Sequence, residues 1–499
     1  MPAPTPVSRI VIRMYRIGTG DCFALKFFKG ARKTPSFRML IDCGSCRGDQ
    51  AHFAPFLDDL AAWMGKRLDL LVVTHEHLDH VNGFAKGRAI FEGFDIAHVW
   101  MAWTEDADDP DARLVQDQLG MLQRAVALGL DRMERLRNDP ARQWPEAERA
   151  EHLAVDATRA RVVDGVRELL SFHDVALPGD ALGAGESELG RAMDVVRTTL
   201  VAKTGHDTPD FLHPGTIAPE LPGTEGLRFY VLGPPKAVDA LKVEVVAGDV
   251  YERKQTLGAA TTFGAAVQAL AADTGDVERP FADAFVMEAA SAAATTEAAF
   301  RGRNAWRDVS FDWLQSVGAL AMRLHSHTNN TSLALAIEFA GSRKVLLFPG
   351  DAEIGHWRSW HAEGMTWQVP HGDGTQTVTA RDLLAQTVFY KVGHHSSHNG
   401  TARASGLDLM TSPDLHAMIT LDMARIGAGW HKTMPSPGVV RELIARTKGR
   451  LFRIDEGVLA DWAPSDEWDA RSSMNAGERA AFEAAHTVDD LFIELEVRG

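Results

Sequence analysis

Residues 68–80 read Leu-Asp-Leu-Leu-Val-Val-Thr-His-Glu-His-Leu-Asp-His, an apolar run followed directly by a cluster of histidines and an aspartate. Its first half, Leu68 to Val73, is a short apolar run that predicts a buried strand. Its second half places four ligand-type side chains within six residues: His75, His77, Asp79 and His80. Because loops that leave strand ends commonly carry the functional groups of layered α/β folds, we expect a functional site here.

The spacing of these four side chains suits a metal centre. Alternate residues of an extended loop point the same way, so His75 and His77 can face one cation. The turn that follows brings Asp79 and His80 toward a second cation. Neutral imidazoles and carboxylates suit zinc, manganese or iron. The alternative, a histidine-rich surface loop, accounts less well for this spacing directly after a buried strand.

Strands and helices surround this stretch on both sides. Alternating residues 9–17 predict a strand, and residues 22–28 and 37–41 predict two more, as an antiparallel meander. Apolar residues at three- and four-residue steps over 53–64 predict a helix that covers one sheet face. The second half of the chain returns to predicted strands at residues 227–232, 332–339, 344–348, 388–392 and 417–421.

Two long segments do not fit the strand pattern. Residues 105–200 have helical periodicity and predict a first insertion, and residues 249–318 predict a second one. Residues 1–499 are otherwise interpreted as one catalytic domain with these elaborations.

Composition limits the classes of function. The formal net charge of -16 shows no basic footprint of the kind that non-specific nucleic-acid binding needs. The three cysteines, Cys22, Cys43 and Cys46, do not form a disulfide framework pattern. No stretch approaches a membrane-spanning length, and residues 1–16 lack the apolar core of a secretory signal. We therefore expect a cytoplasmic protein without a membrane partner.

The motifs resemble those of the metallo-β-lactamase superfamily, whose HxHxDH motif is matched by residues 75–80. Residues 41–44, Ile-Asp-Cys-Gly, are similar to its first motif, in which Asp42 would support the metal loop. Residues 346–351, Leu-Leu-Phe-Pro-Gly-Asp, are similar to its strand ending in Gly-Asp, in which Asp351 would bridge both metals. The resemblance covers about residues 9–104, 226–248 and 320–456. It implies an α/β fold, an αββα four-layer sandwich, with helical insertions.

Residues 389–397, Phe-Tyr-Lys-Val-Gly-His-His-Ser-Ser, are similar to a subgroup that includes the metallohydrolase domain of bacterial DNA-uptake channel proteins. This resemblance implies that His394 takes the last metal position. His395 or His398 would then orient the substrate or protonate a leaving group. Ser396 stands where the subgroup has glycine, which predicts a differently shaped loop.

The third histidine of the first metal is harder to assign. Residues 327–332 resemble either a His-Thr-x-Gly-Ser motif or an Asn-Asn-x-Ser segment that lacks the histidine. His327 is the first choice and His325 the second, and the remaining alternative is that neither binds metal.

The resemblance implies a metal-dependent hydrolase with two divalent ions, zinc in the first place and manganese as the alternative. The expected ligands are His75, His77, Asp79, His80, His327, Asp351 and His394. The expected reaction is hydrolysis of a phosphodiester, in nucleic acid, a small nucleotide or a phospholipid-type ester, by a metal-bound hydroxide. Asp79 would orient the hydroxide, and His398 would serve the leaving oxygen.

Two other functions remain open at this point. The same metal centre would also hydrolyse a carboxylic ester, thioester, lactone or β-lactam. A binding or assembly module with a structural metal site is a third interpretation, although structural zinc sites are usually closed tetrahedra. The insertions could form an oligomer contact or a surface for a protein partner.

Overall fold

The computed structural model describes residues 4–138, 149–173, 187–243, 246, 248–251, 316–371, 374–427, 430–432, 434–462 and 471–499. The chain divides into two compact units. The first contains Met1–Gln116, Glu188–Lys254 and Ser326–Gly499, and the second contains Asp117–Ser187 and Gln255–His325. Most of the predicted second insertion, residues 252–315, lies outside the described residues.

All strands of the described chain belong to the first unit. In chain order they are β1 Val7–Tyr15, β2 Phe23–Lys29, β3 Phe37–Ile41, β4 Arg67–Leu68, β5 Leu70–Val72, β6 Asp95–Ile96, β7 Val99–Ala102, β8 Asp210–Leu212, β9 Leu227–Gly233, β10 Ala334–Phe339, β11 Val345–Phe348, β12 Thr366–His371, β13 Gly374–Thr379, β14 Thr387–Lys391, β15 His416–Ile419, β16 Leu451–Arg453, β17 Gly457–Val458, β18 His486–Val488 and β19 Phe492–Arg498.

The helices lie between these strands. In chain order they are α1 Gln50–Met64, α2 Leu78–Lys86, α3 Arg88–Phe91, α4 Pro110–Asn138, α5 Arg149–Ser171, α6 Glu188–Asp194, α7 Val201–Thr204, α8 Val238–Leu241, α9 Ser316–Asn329, α10 Ile354–Ser359, α11 Ala380–Ala385, α12 Pro437–Thr447 and α13 Ala476–Ala485. A π-helical segment, Val195–Leu200, joins α6 to α7. None of the helices in the described ranges is both long and apolar enough to cross a membrane.

Two large sheets form the centre of the first unit. The first has the order β18-β19-β1-β2-β3-β5-β7-β8, and the second has the order β17-β16-β15-β14-β11-β10-β9. Strands β1 to β3 form the predicted antiparallel meander, and β3, β5, β7 and β8 run parallel. In the second sheet β11, β14, β15 and β16 run parallel.

Three layers of apolar side chains hold the sheets and helices together. One layer lies between the sheets and contains Phe23 and Ile41 from the first and Phe348 and Phe389 from the second. A second layer packs the first sheet against helices such as α1, and a third packs the other sheet against helices such as α12. This helix–sheet–sheet–helix order confirms the predicted α/β sandwich.

The predicted strand Leu68–Val73 is split in two. Asp69 interrupts it, because its carboxylate accepts a hydrogen bond from the backbone N–H of Arg38 at 2.8 Å and pairs with the side chain of Arg67 at 2.6 Å. Strand β4 therefore pairs with β6 in a separate small sheet, while β5 pairs with β3 in the first sheet.

The second unit is helical in its described part. Residues of α4, α5 and α9 supply its buried side chains, among them Leu130, Met133, Val163 and Val166. Helices α4 and α5 fall within the predicted first insertion, residues 105–200, whereas α9 begins at the end of the predicted second one, residues 249–318.

The ends of the parallel strands gather the polar residues of the first unit. Asp42 follows β3 and Thr74 follows β5, next to it in the first sheet. In the second sheet Asp351 follows β11, and Lys391 ends β14. Because parallel strands end at the same edge of a sheet, each sheet presents a group of polar residues at one edge.

Two glycines let neighbouring loops approach the backbone after β5. A Cβ on Gly44 would lie 2.4 Å from the carbonyl carbon of Asp79, and a Cβ on Gly20, where φ is 142°, would lie 2.4 Å from its carbonyl oxygen. The close approach allows the N–H of Asp21 to donate to the carbonyl oxygen of Asp79 at 3.0 Å, and the N–H of Cys43 to that of His80 at 2.8 Å. Both loops thus hold residues 79–80 through the main chain.

Substitution of Gly44 by alanine should therefore destabilise the protein by about 1–3 kcal/mol, the usual cost of forcing an extra group into a packed region. Gly341→Ala is the matched control, because a Cβ there meets nothing within 4 Å. Urea unfolding of both variants measures the difference. Equal midpoints for Gly44→Ala, Gly341→Ala and the parent would show that the loops do not depend on this close approach.

Candidate metal centre

Asp42 fixes the loop that carries the histidines. Its Oδ1 accepts the backbone N–H of Thr74 at 2.8 Å, and its Oδ2 accepts the Thr74 hydroxyl at 2.6 Å. The same Oδ2 accepts Nδ1–H of His80 at 2.8 Å. All three residues are buried, so these hydrogen bonds form away from solvent. Asp42 therefore takes the supporting position that the resemblance implied for it.

Four buried side chains converge beside this loop. Ligand atoms of Asp79, His80, Asp351 and His395 all lie within 4.8 Å of one another. The Oδ2 atom of Asp351 is 3.3 Å from Nε2 of His80 and 3.4 Å from Nε2 of His395. We call these residues the donor group. It draws on three distant segments of the chain, the turn into α2 and the loops after β11 and β14.

Hydrogen bonds set which nitrogen each histidine of the donor group offers. Asp42 is an acceptor, so Nδ1 of His80 donates to it, and Nε2 of His80 faces Asp351. Nδ1 of His395 likewise donates to the carbonyl oxygen of Thr420 at 3.0 Å, and its Nε2 faces Asp79 and Asp351. An oxygen acceptor behind each imidazole is the usual arrangement around a protein-bound metal.

His75 and His77 lie next to the donor group. Nε2 of His75 is 3.0 Å from Nδ1 of His77, and the ring centroids of His75 and His80 are 4.2 Å apart. Burial lowers the pKa of His75 well below its usual range, so its imidazole is neutral and has a lone pair to offer. The structure thus brings together all four predicted residues of the HxHxDH motif.

The carboxylates of the donor group are ionised. Burial alone would raise the pKa of Asp79, but the charge on His80 and the hydrogen bond from His395 outweigh it and lower this pKa to about 2. Burial opposes ionisation of Asp351 as well, and Lys391 then brings the pKa of Asp351 well below its usual range. Both side chains are therefore anionic at neutral pH.

Lys391 is a buried cation behind Asp351. Its side chain is 1% exposed, and its ammonium donates to Oδ1 of Asp351 and to the carbonyl oxygen of Gly350, both at 2.8 Å. It also lies 2.6 Å from Oδ2 of Asp21. Burial would lower the pKa of Lys391, but the two carboxylates outweigh this effect and raise the pKa, so the ammonium keeps its proton.

The turn after β14 has an unusual backbone. His394, His395 and Ser396 have φ angles of 43°, 48° and 64°, in the left-handed region that non-glycine residues rarely adopt. This conformation aims the two histidines in different directions. Nε2 of His395 lies 2.9 Å from Oδ2 of Asp79, whereas Nδ1 of His394 lies 3.2 Å from Oε1 of Glu353.

Glu353 organises the surroundings of His394. The side-chain amide of Asn329 donates to its Oε1 at 2.8 Å, and that of Asn399 donates to its Oε2 at 2.6 Å. The hydroxyl of Ser397 lies 2.9 Å from Nδ1 of His394. This buried polar network holds the side chain of His394 in place.

The remaining predicted residues lie elsewhere in the structure. His327 is half-buried in α9 and is not a member of the donor group. His325, the second choice, belongs to the second unit, where its ring lies 5.1 Å from that of Phe172. His398 is half-buried three residues after His395, and its carbonyl oxygen accepts the N–H of Tyr251 at 3.3 Å. The roles predicted for these three histidines stay predictions.

The donor group fits a divalent cation. Its two imidazoles and two carboxylates are the ligands that zinc and manganese take in proteins. The buried Oδ1 atom of Asp79 has no hydrogen-bond partner among the described residues, so a ligand atom is left without a protein partner. His80, Asp79, Asp351 and His395 would hold the ion.

Several residues of the site were not predicted. These residues support the donor group or the turn beside it and are not members of the group: Asp21, Lys391, Thr420 and Glu353. One of them left a signal in the sequence, because Lys391 is a charged residue inside the apolar strand that precedes Val392. A charge in such a run requires a buried partner. Nothing local in the sequence indicates that the partner is Asp21.

Comparisons with known proteins agree with this geometry. The family model of the metallo-beta-lactamase superfamily matches residues 32–217, which include Asp42 and the motif at residues 75–80. A search of curated proteins and a search of solved structures each found no match. The matched segment and the two-sheet architecture are both similar to those of the metallo-beta-lactamase superfamily.

Proposed function

We propose that this chain is a metal-dependent hydrolase that cleaves phosphodiesters. One observation carries the proposal: four buried ligand side chains from three distant segments converge within 4.8 Å of one another. Structural zinc sites usually take closed sets of cysteine and histidine, whereas a mixed set of imidazoles and carboxylates is typical of hydrolytic centres. A structural metal site in an assembly module is therefore a weaker interpretation.

Divalent cations at this place would stabilise negative charge on a phosphoryl oxygen and make water a stronger nucleophile at neutral pH. The chain itself supplies the arrangement. Asp79 and Asp351 provide fixed negative charge, and Asp79 offers Oδ1 for a proton or a water molecule. Asp42 and Thr420 fix the rings of His80 and His395, so the site needs little rearrangement on binding.

A phosphodiester also needs a proton for its leaving oxygen. His398 is half-buried, follows the turn that carries His395, and is proposed for this role. His394 holds the turn through Glu353, which is 3.2 Å away. The phosphodiester class is supported by the likeness of residues 389–397 to the subgroup that includes the metallohydrolase domain of bacterial DNA-uptake channel proteins. The net charge of -16 favours a small diester over a long polyanion.

Neighbouring histidines of the turn should differ in their effect on metal binding. His395→Gln should lose the bound metal and lower hydrolysis of bis-p-nitrophenyl phosphate by more than about 100-fold, because partners outside the ligand shell alone cost about 10–100-fold. His394→Gln should keep the metal, since Gln can still donate to Glu353. Plasma mass spectrometry of the purified variants gives the metal content. Loss of metal from His394→Gln but not from His395→Gln would reverse the assignment.

The substrate class is tested by a panel on the parent protein loaded with zinc or with manganese. We expect turnover of bis-p-nitrophenyl phosphate and no turnover of nitrocefin or p-nitrophenyl acetate. Asp79→Asn should abolish the diester activity, and His361→Gln, an exposed histidine, is the control that should keep it. Turnover of the carboxylic ester or of nitrocefin without turnover of the diester would favour the ester or β-lactam alternative instead.

A further inference from the structure

We propose that Lys391 is a positioning residue of the metal centre, which occupies Oδ1 of Asp351 and leaves Oδ2 as the single oxygen that this aspartate presents to a cation. The inference rests on the metal-binding part of the proposed function and not on the identity of the substrate. Lys391 itself would not touch the metal.

The two oxygens of Asp351 have different surroundings. Oδ1 accepts the ammonium of Lys391 at 2.8 Å and the backbone N–H of His394 at 3.1 Å. Oδ2 instead faces Nε2 of His80 at 3.3 Å and Nε2 of His395 at 3.4 Å. One oxygen is therefore engaged by the protein, and the other belongs to the donor group.

Asp21 extends this support to a second member of the donor group. Its Oδ2 pairs with Lys391 at 2.6 Å, and its Oδ1 accepts the hydroxyl of Thr420 at 2.8 Å. The carbonyl oxygen of Thr420 in turn accepts Nδ1–H of His395 at 3.0 Å. Through these contacts Asp21 holds both Asp351 and His395, although it lies far from them in the sequence.

Stability alone does not explain why a lysine stands at this position. Burying an ammonium and two carboxylates carries a desolvation cost, and well-packed apolar residues often replace buried ion pairs without loss of stability. The ammonium fixes the geometry of two carboxylates, and an apolar side chain would not do so. The pairing is therefore explained by the placement of Asp351.

Two roles of Lys391 give opposite results when the lysine is removed. If it acted only as a positive charge near the site, its removal would reduce repulsion of the cation and tighten metal binding. If it positions Asp351, its removal frees the carboxylate to rotate and weakens metal binding. The direction of the change in affinity thus separates the two roles.

The test uses the full chain, stripped of metal, and measures zinc affinity by competition with a chromophoric chelator. Lys391→Met should bind zinc about 10–100-fold more weakly than the parent, the range found when a partner of a ligating side chain is lost. Lys344→Met is the control, because its ammonium donates only to the carbonyl oxygen of Arg498 in the described structure. Equal or tighter zinc binding by Lys391→Met overturns the proposal.

Lys391→Met leaves Asp21 buried without its cation and could unfold for that reason alone. The double variant Asp21→Asn/Lys391→Met removes both charges of the pair, and thermal melting tests whether it is folded. It should show the same loss of zinc affinity, and parent-like affinity would overturn the proposal. Because zinc binding is the readout, a failure of the phosphodiester assignment leaves this result unaffected.

Discussion

The site depends on one buried carboxylate that binds no metal in our assignment. Asp42 accepts hydrogen bonds from the main chain of Thr74, from its hydroxyl and from the ring of His80. These bonds join the end of β3 to the end of β5 and fix the loop at its first residue. Without this anchor the histidines would be free to choose other rotamers, and no fixed set of ligands would result.

The two sheets then bring the rest of the site to this anchor. Asp351 and His395 follow parallel strands of the second sheet, while residues 75–80 follow a strand of the first. The apolar layer between the sheets holds these edges in register across the sandwich. The position of the donor group therefore depends on the packing of Phe23, Phe348 and their neighbours as much as on the polar residues themselves.

Much of this arrangement was predictable because its signals are local. The apolar run before residues 75–80, the alternation in β1 and the helical steps in α1 each depend on neighbours along the chain. The split at Asp69 was not predictable, because it arises from Arg38 on another strand. The strand register that places Arg9 opposite Arg498 is likewise not predictable from local sequence patterns.

The orientation of the histidine pair after β14 also depends on contacts between distant segments. Sequence spacing alone does not reveal which of His394 and His395 faces the donor group, since the answer depends on backbone angles that non-glycine residues seldom adopt. The support of Asp351 by Lys391 and Asp21 also joins segments that the sequence places far apart. Local patterns predicted Asp79, His80 and Asp351, whereas long-range contacts place His395 rather than the predicted His394 beside them.

The left-handed turn at His394 to Ser396 depends on the contacts around it. Each such residue costs about 1–2 kcal/mol relative to the right-handed conformation, and the contacts of Glu353, Asp351 and Thr420 together offset that cost. If these contacts were lost, ordinary backbone angles would become more favourable, and His395 would no longer be held beside Asp79. Substitutions in the second sheet near this turn would therefore disrupt the donor group while the sandwich stays folded.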